Sequence, residues 1–221
     1  MVNLFNTITK KIENLQPISN NHINMFVCGQ TVYDDMHLGH AKTYVNFDVI
    51  VRWLRFSGYD VRYIQNITDV DDKIIKRAKE LKITEKELVY KYEKRFLEDV
   101  EKLGIKKNVS NFLKSHDYIN AIKNQIQSLL DKNFAYYIEG SIYFNVDKFK
   151  NYTLLAHINL NDLKVHRIES QEGKKNIYDF VLWKAAKPNE PKWNIELNIN
   201  KKKTIVSGRP GWHIECSAMA T

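Results

Sequence analysis

A chain of 221 residues, 43% apolar and 27% charged, carries enough material for a real hydrophobic core and fits neither a disordered segment nor a miniature disulfide scaffold. Its apolar runs, such as Val49-Ile50-Val51, are far too short to span a bilayer, and Met1-Val2-Asn3-Leu4-Phe5-Asn6 lacks the basic and apolar segments of a secretory signal. No membrane partner and a cytoplasmic location are the expectations. The net charge of +8 suits a polyanionic partner, and a solvated Lys-rich surface accounts for it equally well.

In chain order, Ile23 to Cys28 is a short, largely apolar run that predicts a buried strand meeting a loop at Cys28-Gly29. The loop continues to Gly39. From His40 the pattern turns helical, with Val45, Val49 and Trp53 at i, i+4 and i+8, joined by Ile50 and Leu54, as the expected apolar face; this helix should end near Gly58. Asp60 to Asn66 then predicts a second strand. A helix-length connection between two strands implies a parallel crossover in an open α/β sheet, where ligands bind beyond the carboxyl ends of the strands. Cys28-Gly29 and Asn66-Ile67-Thr68-Asp69 should therefore line one crevice.

Asp71 to Leu81 and Thr84 to Leu103 look like two exposed helices, the second opened by a Thr84/Glu87 capping box. His116 to Lys132 predicts another helix, and Phe134 to Val146 a hairpin turning at Glu139-Gly140. From Asp147 to about Lys203, short strands and polar loops suggest the tail of an insertion. The expected organisation is 1–115 as the first part of a sheet domain, 116–203 as an inserted segment, and 204–221 as the return to the sheet domain.

His37-Leu38-Gly39-His40 sits where a strand and loop hand over to a helix amino terminus, a place that favours phosphate. Two imidazoles there can donate hydrogen bonds to phosphate oxygens as charge develops, and Gly39 allows a flat base to approach the backbone. The bare pattern also fits surface or capping histidines. Cys28 and Cys216 are the two cysteines, and in a cytosolic-looking chain they read as metal ligands, reduced thiols or small buried apolar residues more readily than as a disulfide. Thr68 can be a helix cap, and Trp212 can be core packing.

Phe26-Val27-Cys28-Gly29, Thr31-Val32-Tyr33-Asp34 and His37-Leu38-Gly39-His40 together resemble the cysteinyl-tRNA synthetases, class I synthetases with a Rossmann-type catalytic domain. Asn66-Ile67-Thr68-Asp69-Val70-Asp71-Asp72-Lys73-Ile74, Asp179-Phe180-Val181-Leu182-Trp183-Lys184 and Gly208-Arg209-Pro210-Gly211-Trp212-His213-Ile214-Glu215-Cys216-Ser217 continue the likeness in the same order. The fold it implies is α/β: a Rossmann-type parallel sheet holding the HxGH motif, with an inserted α+β connective segment.

The implied activity is two-step ATP-dependent ligation. Cysteine is activated to cysteinyl-adenylate and then transferred to tRNA(Cys), with Mg2+ accompanying ATP. His37, His40 and Gly39 are assigned by the resemblance to ATP, and Gly29, Thr31, Thr68 and Trp212 to the substrate cysteine. It assigns Cys28 and Cys216 to one zinc ion, the remaining His and Glu ligands lying beyond Thr221. Zinc suits the choice of cysteine over serine because a thiolate is the better ligand.

A Lys-Met-Ser-Lys-Ser-type loop is missing from the sequence, and Lys201-Lys202-Lys203-Thr204 lies in the wrong order to replace it. The end at Ala218-Met219-Ala220-Thr221, inside an expected amphipathic helix, suggests truncation and a weakly active or inactive fragment. A monomer is expected. Two rivals stay open, a related cysteine ligase acting on an amino sugar and a non-catalytic RNA-binding fragment.

Overall fold

The computed structural model describes residues 2–158 and 173–221, so part of the expected 116–203 insertion lies outside the described residues. The chain divides into two compact units. The first comprises residues 1–4, 13–118 and 219–221, and the second residues 5–12 and 119–218.

The first unit is built on a three-stranded parallel sheet in the order β3-β4-β5, with β3 at His22–Val27, β4 at Asp60–Ile67 and β5 at Asn111–Lys114. The first of its crossovers is α1 (Leu38–Phe56), and the second carries α2 (Asp72–Leu81) and α3 (Glu85–Lys102). A short hairpin, β1 (Asn3–Asn6) with β2 (Lys11–Asn14), precedes the sheet.

The structure buries Leu54 as expected but corrects the rest of the stripe expected on α1. Val45, Val49 and Trp53 are exposed, Trp53 to 56%, and the buried residues are Tyr44, Asp48, Val51 and Leu54. The buried face carries a charge, which is why apolar spacing points to the wrong stripe. Asp48 is matched by Arg52 Nε at 2.6 Å and Asn108 Nδ2 at 2.6 Å, so its burial is paired rather than bare. Arg55 continues the tie, donating to Asn108 Oδ1 and to the Val61 carbonyl. Helix, strand and the 3-10 turn at Lys106–Asn108 are thus held as one body.

The two helices expected to be exposed carry much of the core instead. Ile74 and Ala78 of α2 and Leu88, Tyr92, Phe96 and Val100 of α3 form one cluster with Val32, Tyr44, Ile67 and Ile105. Their abundant Lys and Glu residues lie on the outer faces and mask this stripe. The Thr84/Glu87 capping box is present, with Thr84 Oγ1 accepting the Glu87 N–H at 3.2 Å and Glu87 accepting the Thr84 N–H at 2.8 Å.

The second unit is an antiparallel sheet in the order β6-β7-β8-β10-β9. Its strands are β6 (Ala135–Ile138), β7 (Ser141–Phe144), β8 (Phe180–Ala185), β9 (Trp193–Ile199) and β10 (Lys202–Pro210). The expected hairpin at 134–146 is β6-β7, turning through Glu139 and Gly140 at positive φ. The helix expected over 116–132 is a 3-10 turn at Ser115–Tyr118 followed by α4 (Ile119–Asp131). Gln127 fastens α4 to β9, its amide exchanging hydrogen bonds with the Asn198 backbone N–H at 2.7 Å and C=O at 3.1 Å. Asp179, fully buried, accepts from Tyr136 Oη at 2.8 Å, Val146 N–H at 2.9 Å and Asn176 N–H at 3.2 Å. The chain closes with α5 (Trp212–Met219).

Candidate functional site

Beyond their last paired residues, β3 and β4 stay joined by the loop that follows β3. Thr68 N–H donates to the Gln30 carbonyl at 3.0 Å, Val32 N–H donates to the Thr68 carbonyl at 3.1 Å, and Thr31 and Thr68 form a parallel bridge. Gly29 N–H donates to Asn66 Oδ1 at 2.7 Å, and Asn66 Nδ2 donates to Thr68 Oγ1 at 3.0 Å. So close is the contact that a Cβ on Gly29 would sit 1.7 Å from the Asn66 carbonyl oxygen, which makes glycine obligatory there. The sequence-predicted residues Gly29, Thr31 and Thr68 therefore meet at one strand end, as the parallel crossover requires.

Thr68 is buried and is not a helix cap. That position belongs to Asp71, whose side chain accepts the Lys73 N–H at 2.7 Å. Asp69, buried beside Thr68, is held by His116 through both its backbone N–H and its Nδ1, and His116 Nε2 lies 3.1 Å from Asp117. Sequence reading missed this tie from β4 to the end of β5, because a lone His after a four-residue strand gives no periodic signal.

The loop is braced along its length. Gln30, itself buried, donates from Nε2 to the Asp34 carbonyl at 2.8 Å. Asp34 pairs with Arg77 of α2 at 3.2 Å, and Asp35 with Arg95 of α3 at 2.7 Å. These exposed pairs add little stability one by one, but together they fix where the loop delivers His37.

His37 is the N-cap of α1. Its Nδ1 accepts from the Gly39 N–H at 3.1 Å and the His40 N–H at 3.4 Å, so the neutral ring carries its proton on Nε2, pointing that donor away from the helix. The His37 and His40 rings stack with centroids 3.7 Å apart. Gly39 makes room for this: a Cβ there would meet His37 Cε1 at 2.9 Å. Burial, then electrostatic coupling to His37 and the Lys73 charge, hold the His40 imidazole below its ordinary value, which favours the neutral ring at pH 7. Its Nδ1 is buried with no hydrogen-bond partner. Behind it lies Tyr44, stacked at 6.3 Å, its phenol pushed up chiefly by burial. The pair thus offers neutral N–H donors at a helix amino terminus, an arrangement that binds phosphate oxygens.

Cys28 is exposed at the end of β3 in the first unit, whereas Cys216 is half-buried on α5 and Trp212 exposed at its start, both in the second unit. Trp212 is therefore not core packing. Its ring tilts against His213 at 5.0 Å, and His213 packs edge-on against Phe180 at 5.1 Å. Neither cysteine is in a disulfide. Among the described residues no group of three or more His, Cys, Asp or Glu side chains gathers as a metal site.

Residues 14–221 match the family model described as the class I (C) tRNA synthetase catalytic domain. The chain belongs to that family. Among curated relatives, it is 48% identical over 222 residues to a protein of Methanococcus maripaludis (strain C6) named Cysteine--tRNA ligase, an alignment covering 100% of this chain and 45% of the relative. Proteins of the same name from Thermococcus kodakarensis and Staphylococcus epidermidis are 46% and 44% identical, again across the whole chain and 44% and 46% of their own lengths. The chain spans about half the length of the curated relatives it matches. A solved Mycobacterium tuberculosis methionyl-tRNA synthetase in complex with methionyl-adenylate superposes with a TM-score of 0.58 at 14% identity, over 89% of this chain and 46% of that one, a likeness of fold. Among the described residues no helix is long and apolar enough to cross a membrane.

Proposed function

We propose that this chain carries the HxGH half of a cysteine–tRNA ligase active site. ATP binds at the loop from Gly29 to His40, the cysteine carboxylate oxygen attacks the α-phosphorus, and pyrophosphate leaves. The cysteinyl group of the adenylate then passes to the terminal hydroxyl of tRNA(Cys). The observation that carries this reading is the His37 cap, which aims an Nε2 donor outward at the start of α1 while the same loop is stitched to the β4 end at Thr68. Its support for tRNA over an amino sugar is the name shared by the relatives.

In this reading His37 and His40 donate to the phosphates and Gly39 faces adenine. Gly29, Thr31, Thr68 and Trp212 are assigned to the substrate cysteine. Cys28 and Cys216 are assigned to a zinc ion that selects the substrate thiolate, and Mg2+ accompanies ATP. Catalysis is positioning and charge stabilisation without a covalent enzyme intermediate. Residues 1–115 and 204–221 are assigned to the catalytic domain and 116–203 to an insertion, in a cytoplasmic monomer.

Non-hydrolysable adenylate analogues test this reading without requiring turnover. Calorimetry with the cysteinyl and seryl sulfamoyl adenosines should give tighter binding for cysteinyl and a loss on His37→Ala/His40→Ala. Equal affinity for both analogues would overturn the cysteine assignment, and no loss in the double variant would overturn the nucleotide assignment.

A further inference from the structure

The histidine pair brings donors but little charge. His37 commits Nδ1 to the helix end, and the stacked His40 ring is held toward its neutral form. A triphosphate carries several negative charges, and hydrogen bonds to it strengthen when the donor is ionised. The two arginines of α2 and α3 that pair with loop carboxylates are already engaged, Arg77 with Asp34 and Glu80, and Arg95 with Asp35.

Lys73 is different. It lies in the first turn of α2, its backbone fixed by the Asp71 cap, and its exposed side chain places Nζ 5.5 Å from the centroid of the Tyr33 ring in the loop itself. Its charge is felt at His40. Among the described residues its ammonium has no carboxylate partner within ion-pair distance, although Asp71 and Asp72 precede it in sequence.

We propose that Lys73 is a phosphate-binding residue of the nucleotide site, its ammonium held over Tyr33 beside the His37–His40 pair to supply the formal positive charge that grips the ATP triphosphate. The proposal rests on the reading of the Gly29–His40 loop as an ATP site. As the carboxylate–phosphorus bond forms and the bond to the pyrophosphate oxygen breaks, charge gathers on the leaving pyrophosphate, and a fixed cation stabilises it. The imidazoles orient the phosphates and Lys73 balances them.

Calorimetric binding of adenosine, AMP and ATP to the 221-residue chain tests it, comparing wild type with Lys73→Ala, Lys73→Arg and, as a control, Lys76→Ala, another exposed lysine of α2. Lys73→Ala should weaken ATP about tenfold or more, the scale of one charge-assisted contact. AMP should lose less and adenosine should be unchanged. Lys73→Arg should keep most of the ATP affinity, and Lys76→Ala all of it. If wild type binds ATP and Lys73→Ala keeps its preference for ATP over adenosine, the Lys73 assignment is overturned and the site stands. An equal loss of adenosine and ATP in Lys73→Ala means a structural role and also overturns it. No ATP binding by wild type would instead sink the site reading itself.

Discussion

Gly29→Ala should be among the most damaging single-methyl additions in the first unit. The new Cβ would stand 1.7 Å from the Asn66 carbonyl oxygen and 2.9 Å from its carbon, backbone atoms of β4 that cannot swing aside, with Gln65 Cγ at 3.1 Å behind them. Relief requires the two strand ends to part by more than an ångström. That opens the Gly29–Asn66 hydrogen bond at 2.7 Å and strains the Thr68–Gln30 and Val32–Thr68 bonds next to it. Overpacking costs about 1–3 kcal/mol and each lost hydrogen bond about 1 kcal/mol, so the whole is roughly 3–5 kcal/mol, a large share of the 5–15 kcal/mol typical of a domain. Urea unfolding should show a correspondingly lower midpoint. Amide exchange should show protection lost first at Val32 and Thr68. An unchanged midpoint with both amides still protected would refute the close-approach argument.

His40 should titrate below its ordinary value of 6.5, the causes being burial, then His37, then Lys73. Between the lowered folded value and the unfolded one the unfolded chain binds more protons, so this residue's contribution makes stability rise with pH and fall as pH drops below about 6.5. A ring titration followed by NMR that centres at or above 6.5 would contradict the neutral-donor picture. Asp179→Ala should cost about 3 kcal/mol, since it strands the Tyr136 hydroxyl and the Val146 and Asn176 N–H groups in the interior of the second unit. Chemical denaturation giving less than about 0.5 kcal/mol would mean that water or another acceptor replaces the carboxylate.

The parts of the fold legible in the sequence were those where local chemistry and tertiary role agree. The β3-α1-β4 crossover, the Thr84 cap and the Glu139-Gly140 turn follow from periodicity, a capping box and turn residues. The strand-end meeting of Gly29 and Thr68 follows from the rule for parallel sheets. The face of α1 did not, because its inner side buries Asp48 with Arg52 and Asn108 as partners, while Val45, Val49 and Trp53 lie outside. Strand β5 is only Asn111–Lys114, too short to show alternation, and β1-β2 is a mostly exposed hairpin without an apolar face. At the site, the two histidines were readable as donors. That one caps the helix for the other, and that Lys73 stands over Tyr33, are facts of three-dimensional placement between segments separated in sequence.

The central claim is that the Gly29–His40 loop and the β4 end beside it form an adenine nucleotide site. Titration of ATP into the isotopically labelled 221-residue chain, followed by amide and imidazole NMR, tests it most directly. The account predicts saturable shifts at Gly29 to Ala41 and at Thr68 to Lys73, lost in His37→Ala/His40→Ala. Shifts confined to residues 119–218, or none at millimolar ATP, would contradict it.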